Sequence, residues 1–216
     1  DDITFKSQNW GQIIENHFAD SSIGMIGVAG SHYMPDIPFY WATPFVSVHN
    51  LNKGINGVEE WFYTDFFGKK TLIDCVTLDG LCYFIRKSLF DSISYDEKSY
   101  SGFHFYDMDI SMQVLTSNYR VCVCRDLLLE HQWFHNMNKA GMELFEINKN
   151  IFFNKWKNHF PITRGIDAIP KLTIERVTQL YQDIYKLSQV KKTHAYKLGY
   201  AILYPYKLLK RIINKL

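Results

Sequence analysis

The feature that most restricts the fold is a short apolar run, Ile23–Gly30, which contains no polar side chain. The run lacks the alternation of a strand with one solvated face, so it predicts a strand that is buried on both faces. Its glycines allow neighbouring backbone to approach closely. They do not form the dinucleotide-binding fingerprint, because no helical pattern follows Gly30. With the helical patterns elsewhere in the chain, the run predicts an α/β protein.

Apolar periodicity predicts the other elements of the chain. The predicted helices are Asn9–Phe18, with Ser7 or Asn9 as its cap, Gly141–Phe160 and Lys171–Val190. The predicted strands are 58–65 and 70–78, joined as a hairpin around Phe67-Gly68-Lys69, a further strand after Asp79-Gly80, and 119–124. The segment Ser31–Asn56 shows little periodicity and predicts a long loop.

Composition excludes several classes of protein. With 47% hydrophobic residues and a net charge of +2, the chain is globular, and nucleic acid is not expected as a partner. The four cysteines lack metal-binding spacing and lie in apolar runs, which indicates buried thiols in a reducing compartment. The sequence has no signal peptide and no apolar run long enough to cross a bilayer. It begins at Asp1-Asp2 without an initiator methionine, so we expect a fragment.

The stretch Ser101–Leu115 places two acids, Asp107 and Asp109, at the start of a predicted amphipathic helix. One interpretation is local: Asp107 caps the helix and Asp109 complements the helix dipole. The other interpretation is functional, because Phe103-His104-Phe105-Tyr106 supplies more aromatic surface than capping requires and suits the wall of a sugar or base pocket. Both interpretations remain open on the residues alone.

Acidic and imidazole side chains recur at the ends of predicted strands: Asp1-Asp2, Asp107 with Asp109, and His131. If these strands run side by side in one sheet, the side chains could form one site. Carboxylates with an imidazole suit Mn²⁺, and oxygen ligands alone suit Mg²⁺; either ion can bridge phosphate oxygens. A further carboxylate nearby could act as general base toward a hydroxyl. The sequence contains no nucleophile-elbow, phosphate-loop, zinc-protease or kinase signature.

The last segment, 191–216, mixes basic residues with aromatic and aliphatic ones and contains no acid. Such a segment suits the surface of an anionic bilayer. It equally suits a helix that packs on the body of the protein and presents a solvated basic face. The two interpretations remain open.

Six short motifs follow one another in the chain: Asp1-Asp2-Ile3, Ile26–Gly30, Leu78–Arg86, Gly102–Ile110, Val123–His131 and Phe153–Trp156. In this order they resemble the family 2-type glycosyltransferases of the GT-A fold, nearest to the bacterial branch that elongates surface polysaccharides. The resemblance covers about residues 1–160. It implies an α/β fold with a GT-A-like mixed sheet flanked by helices. We therefore expect the C-terminal portion of a catalytic domain over 1–160 and a helical, basic, amphipathic extension over 161–216; the family's first, nucleotide-binding strands have no counterpart here.

The resemblance also implies roles for individual residues. The implied site residues are Asp2 and His131 as metal ligands, Asp1 at the ribose, Asp79 and Gly80 in the donor-sugar cleft, Asp107 as catalytic base and Asp109 at the acceptor; Tyr106 and Trp41 are further expected acceptor contacts. Asp79 could instead be a turn residue, and Asp109 could instead hold its loop. Tyr106 stands where the family usually has an acid.

The expected activity is transfer of a sugar from a nucleotide-diphospho-sugar, with UDP preferred, to a hydroxyl of a glycan or lipid-linked acceptor. A divalent ion, Mn²⁺ or Mg²⁺, and inversion at the sugar carbon are expected, in bacterial surface polysaccharide synthesis. The expected location is the cytoplasm, with 191–216 as a candidate peripheral contact with the inner membrane face. The alternative is a non-catalytic carbohydrate-binding or membrane-peripheral scaffold module whose aromatic side chains stack on sugars: Trp41, Phe103, Phe105, Tyr106 and Trp133.

Overall fold

The computed structural model describes residues 3–40, 47–55, 58–63, 70–131 and 138–165, together with separate positions between 176 and 190. The chain divides into two units, Asp1–Glu175 and Arg176–Leu216. The described positions of the second unit are helical, in agreement with the helix predicted over Lys171–Val190. The predicted domain boundary at residue 160 stays a prediction. No helix of the described residues is long and apolar enough to span a membrane.

The first unit is a mixed α/β structure, as expected. Its described strands are β1 (Ile3–Phe5), β2 (Ile23–Gly27), β3 (Ala29–Ser31), β4 (Tyr33–Met34), β5 (Ser47–Ile55), β6 (Val58–Tyr63), β7 (Leu72–Cys75), β8 (Thr77–Leu78), β9 (Tyr83–Ile85), β10 (Arg120–Cys124), β11 (Leu129–His131) and β12 (Ile162–Thr163). Its described helices are α1 (Trp10–Phe18), α2 (Tyr106–Thr116) and α3 (Lys139–Trp156), with 3₁₀ turns at Lys87–Asp91 and Lys157–His159.

The described strands of the first unit form three sheets. The six-stranded sheet has the order β1-β11-β5-β3-β8, with β6 also paired to β5. The four-stranded sheet has the order β7-β10-β2-β9, in which β10 is parallel to β2 and the other pairs are antiparallel. The third sheet is the antiparallel pair of β12 and β4.

The apolar run forms the centre of the core, as predicted. All five residues of β2 are buried, and so are the three residues of β3. Residues without polar side chains can occupy these positions because β2 is covered by strands on both edges and by α2 on a face. Helix α2 contributes Met108, Ile110 and Met112 to the same core, each at most 2% exposed.

The predicted hairpin of 58–65 and 70–78 is wrong. Strand β6 pairs with β5, and the second predicted strand is two strands, β7 and β8, that belong to different sheets. The long loop predicted over Ser31–Asn56 is wrong in part, since it contains β4 and β5. The sequence of β5, Ser47-Val-His-Asn-Leu-Asn-Lys-Gly-Ile55, has no regular alternation, and its strand state follows from backbone pairing with β3, β6 and β11.

The predicted helix caps agree with the structure only in part. Asn9 occupies the cap position of α1 with a left-handed backbone and no side-chain hydrogen bond. Ser7 instead joins two chain segments: its hydroxyl donates to the Asp126 carbonyl at 3.0 Å and accepts from the Leu128 N–H at 2.8 Å. Phe105, and not Asp107, holds the cap position of α2.

Candidate functional site

The loop after β8 meets the first turn of α2, and the Asp107 carboxylate lies at that junction. The Gly80 N–H donates to Asp107 Oδ2 at 2.8 Å, and the Met108 N–H donates to Asp107 Oδ1 at 2.9 Å. Each carboxylate oxygen therefore has a backbone donor from a different element. These two bonds fix the orientation of the carboxylate while the residue keeps part of its surface accessible.

The loop that carries Gly80 is shaped by Asp79. The Asp79 N–H donates to the Ala29 carbonyl at 2.9 Å, which continues the pairing of β3 with β8 by one residue. Asp79 Oδ1 accepts from the Leu81 N–H at 2.8 Å and so closes a tight turn around Gly80. Asp79 is thus a turn residue, as one of its two interpretations proposed, and the turn directs the Gly80 N–H at Asp107.

Gly80 is required at its position by the space around it. A Cβ atom there would collide with the Tyr106 hydroxyl and would lie 3.2 Å from Asp107 Oδ2. The Tyr106 hydroxyl lies 3.5 Å from the Gly80 carbonyl oxygen. Glycine therefore allows Tyr106 and Asp107 to close over the turn.

Helix α2 is held in register by a side chain that the sequence analysis did not single out. The Ser111 hydroxyl donates to the Asp107 carbonyl at 2.7 Å and accepts from the Leu78 N–H at 3.1 Å. Ser111 is fully buried and links the first turn of α2 to β8. No local pattern could identify this residue, because the link spans 33 residues of sequence.

The chain enters α2 through an unusual backbone conformation. Phe105 has φ 72° and ψ −3°, the left-handed region that side chains other than glycine rarely adopt. Its ring is buried at 3% exposure and contacts Phe145 and Phe152 of α3. The packing of this ring holds the strained turn that places Asp107. Phe105 is therefore a core residue, and the sugar-stacking role considered for it is wrong.

The environment of Asp107 changes its acidity. Burial, and then the negative charge of Asp79, raise the pKa of Asp107 to about 7, although its backbone hydrogen bonds act in the opposite direction. Burial and the charge of Asp107 raise the pKa of Tyr106 to about 12, so the phenol stays protonated. A carboxyl group with a pKa close to neutrality can accept a proton and release it again, as a general base requires.

Asp109 lies in the core and not at this surface. It is 1% exposed, and Oδ1 accepts from Trp156 Nε1 at 2.7 Å and from the Tyr100 hydroxyl at 3.1 Å. Oδ2 accepts from Gln113 Nε2 at 2.8 Å and from Lys155 Nζ at 3.0 Å. The acceptor contact expected of Asp109 is therefore corrected: this side chain joins α2 to α3, close to its other expected role of holding the loop.

The strand directions place His131 and Asp79 on the same side of the six-stranded sheet, where strands end; we call this side the edge. Strand β8 is antiparallel to β3, β3 is antiparallel to β5, and β5 is parallel to β11, so β8 and β11 end at one edge. Strand β1 runs the opposite way and begins there, with Ile3 opposite His131. Ile3 follows Asp2 in the sequence; Asp1, Asp2 and Trp41 themselves lie outside the described residues.

At this edge, Asp79 and His131 are offset from each other along the strand direction. Asp79 lies beside Ala29, which pairs with His49, whereas His131 pairs with Lys53, four residues further along β5. Four residues of a strand span about 13 Å. Among the described residues, the structure does not bring the side chains of Asp107 and His131 into one group of candidate metal ligands.

His17, Cys124 and Asp126 form a second group with metal-binding chemistry within the described part of the chain. Their ligand atoms lie within 4.8 Å of one another. His17 Nε2 already lies 3.0 Å from Asp126 Oδ2, and burial raises the pKa of the Cys124 thiol to about 11. The histidine and aspartate join α1 to the segment after β10. No sequence pattern marks this group, because its members lack regular spacing.

Two comparisons with known proteins bear on the chain. The model of a family described as a glycosyltransferase like family matches residues 1–156, which include the turn at Gly80, the first turn of α2 and His131. No curated protein matches the chain.

Proposed function

Because the chain belongs to this glycosyltransferase like family, it is a transferase that uses a sugar donor and an acceptor, and we propose the identity of both substrates and of the product. The donor is a nucleotide-diphospho-sugar, with UDP as the nucleotide, and the acceptor is a hydroxyl of a glycan or a lipid-linked glycan. The product extends a bacterial surface polysaccharide. Membership of the family favours this enzyme function over a non-catalytic carbohydrate-binding or scaffold module.

The observation that carries the proposal is the Asp107 carboxylate. Two backbone N–H groups orient it, its pKa is raised to about 7, and part of its surface remains accessible beside Tyr106. These are the properties of a general base that serves a hydroxyl nucleophile near neutral pH. The neighbouring Asp109 has none of this accessibility, so it is not a second candidate for the base.

In the proposed reaction, Asp107 accepts the proton of the acceptor hydroxyl as the hydroxyl oxygen attacks the anomeric carbon of the donor sugar. The bond between that carbon and the oxygen of the diphosphate breaks, and the nucleoside diphosphate leaves with the bonding electrons. A single displacement with the base on the face opposite the leaving group inverts the configuration of the sugar. Asp79 and Gly80 line the donor sugar, and Tyr106 and Trp41 contact the acceptor in this proposal.

Of the two residues that this proposal assigns to a divalent ion, His131 lies among the described residues and Asp2 does not. His131 is partly buried at the end of β11 and supplies an imidazole, and the strand that pairs with it begins directly after Asp2. Asp2 and His131 would hold Mn²⁺ or Mg²⁺, and Asp1 would lie near the ribose. When bound, the ion would neutralise the charge that develops on the leaving diphosphate. The offset along β5 supports separate positions for ion and base.

The proposed location is the cytoplasm, with peripheral contact at the inner face of the membrane. That contact rests on the basic, aromatic composition of 191–216, which lies outside the described residues. It stays a prediction.

The function is tested by following transfer of a radiolabelled sugar from UDP-sugars to a glycan acceptor by the full chain, with Asp107→Asn as the comparison. Transfer by the wild-type protein and its loss in the variant would support the proposal. Metal-independent glycan binding without any release of UDP would contradict it.

A further inference from the structure

Four aromatic rings from two separate segments form a continuous surface beside Asp107. The ring centroids of Phe90 and Tyr95 are 6.2 Å apart, those of Tyr95 and Tyr106 are 6.3 Å apart, and those of Tyr106 and Phe103 are 5.7 Å apart. Each ring therefore contacts the next one. We call these four side chains the aromatic platform.

The aromatic platform is exposed to solvent to an extent that core packing does not explain. Phe103 is 69% exposed, Phe90 is 46% exposed and Tyr95 is 41% exposed. Contiguous apolar surface of this kind is costly in water, and on a soluble unit it marks a place where something binds. The neighbouring Phe105 shows the contrast, since its ring is buried against α3.

The platform is continuous with the candidate site through Tyr106. The Tyr106 ring belongs to the platform, while its hydroxyl lies 3.5 Å from the Gly80 carbonyl oxygen in the turn that donates to Asp107. A ligand that spans the platform as far as the Tyr106 ring therefore reaches the turn that holds the carboxylate. This continuity points to the acceptor, because the acceptor hydroxyl must reach the base.

The shape of the platform distinguishes between ligands. Successive rings are inclined to each other by 41°, 57° and 58°, so they present several faces and not one flat stack. A flat nucleobase would stack on only one of these faces. A chain of pyranose rings can place the C–H face of a different sugar on each ring and direct its hydroxyls at the polar rim.

The platform also has the polar edges that carbohydrate recognition needs. The Tyr83 and Tyr95 hydroxyls lie 3.0 Å apart, and this hydrogen bond orients the Tyr95 ring. In the sequence, Asp91, Asp96 and Asp107 each directly follow a platform residue. Asp96 is paired with Lys155 at 2.8 Å, so the acids beside the platform include one whose charge is balanced.

We propose that the aromatic platform, Phe90, Tyr95, Tyr106 and Phe103, is a stacking subsite for two or more pyranose rings of the acceptor glycan. The inference rests on the proposed function, and it goes beyond that function by making the acceptor an oligosaccharide and not a single sugar. Sugar units beyond the reacting one contact Tyr95 and Phe90, so these two residues determine the preferred acceptor length.

The test measures binding of glucose, maltotriose, cellotriose and chitotriose to the full chain by saturation-transfer difference NMR, without any donor. At least one trisaccharide should bind more tightly than glucose. Tyr95→Ala and Phe90→Ala should each weaken trisaccharide binding about tenfold and leave glucose binding nearly unchanged, since each removes one stacking ring. Tyr95→Phe retains the ring and should retain most of the binding. Ile147→Ala, which removes an apolar side chain that is 56% exposed on α3, is the matched control and should bind as the wild type does.

The proposed subsite would be overturned if no trisaccharide binds, if the two alanine variants bind as the wild type does, or if Ile147→Ala weakens binding as much as Tyr95→Ala. Co-sedimentation with phosphatidylglycerol vesicles that depends on Tyr95 and Phe90 would assign the surface to lipid and would also overturn it. Failure of the proposed function is read separately, from the absence of sugar transfer by the wild-type protein. Glycan binding that depends on the platform in a protein without transferase activity would retain the subsite and reject only the reaction.

Discussion

At the scale of single residues, the proposed role of Asp107 as general base depends on its pKa, which lies near neutrality. Burial is the main cause and the charge of Asp79 is the second. Because the base must be ionised, kcat/KM should rise about tenfold per pH unit below pH 7 and level off above it. Asp79→Asn should move the midpoint to lower pH, because it removes the neighbouring charge that disfavours ionisation. Asp91→Asn, at an exposed position outside the turn, should leave the midpoint in place.

A pH profile that is flat between pH 5.5 and 8.5 would contradict the assignment of Asp107 as the ionising group. So would a midpoint that moves to higher pH in Asp79→Asn.

Gly80 offers a second test at this scale. In Gly80→Ala the new methyl group would collide with Tyr106 and crowd Asp107, so the hydrogen bond from residue 80 to the carboxylate should be lost. A displacement of this kind should lower kcat by roughly 10²-fold. Gly11→Ala is the matched control: nothing lies within 4 Å of its Cβ position in α1, so activity should be retained and stability should rise by about 0.5–1 kcal/mol. Equal activities of the two variants would show that the Gly80 turn does not position the site.

At the scale of elements, Asp109 is the residue that fixes α3 on α2. Asp109→Ala removes the acceptor for Trp156 Nε1 and leaves Lys155 with one fewer carboxylate, although Asp96 still lies 2.8 Å from Lys155 Nζ. Breaking a buried network of this kind should lower the free energy of unfolding by about 3–5 kcal/mol, measured by urea denaturation. Asp126→Ala, which breaks an exposed pair with His17, should cost less than about 1 kcal/mol. A folded, stable Asp109→Ala protein with a raised acceptor KM would restore the acceptor role.

Elements whose secondary structure follows from a local residue pattern could be predicted from the sequence. The buried run of β2, the amphipathic α1 and the long α3 follow local patterns, and the structure confirms them. The pairing of β6 with β5 and the division of 70–78 between two sheets could not be predicted, because partners far along the chain decide them. The same limit applies to the site. Asp107 and Gly80 were named from a motif resemblance, whereas the bond between them, the bridge through Ser111 and the raised pKa depend on contacts that span 27 or more residues.

At the scale of the whole molecule, the six-stranded sheet brings the ends of β8 and β11 and the start of β1 to one edge. In the proposed reaction, the base Asp107 and a metal ion held by His131 occupy separate positions along this edge. His131→Ala should raise the Mn²⁺ concentration needed for half-maximal activity at least tenfold, because an imidazole ligand is lost. His17→Ala is the matched control, since His17 belongs to the group with Cys124 and Asp126. An unchanged metal titration in His131→Ala, or a shift in His17→Ala instead, would move the ion away from this edge.

In the proposed reaction Asp107 takes the proton of the acceptor hydroxyl, and Asp107→Asn removes that proton acceptor. The amide is close to the carboxylate in size but cannot accept the proton, so transfer of sugar to the acceptor should fall by about 10²–10⁴-fold. UDP binding, measured by titration calorimetry with Mn²⁺, should be unchanged, because the nucleotide and its metal do not contact this side chain in the proposed site. Asp183→Asn, an exposed position in the second unit, controls for loss of a surface carboxylate and should transfer normally. Near-normal turnover by Asp107→Asn would exclude Asp107 as the general base.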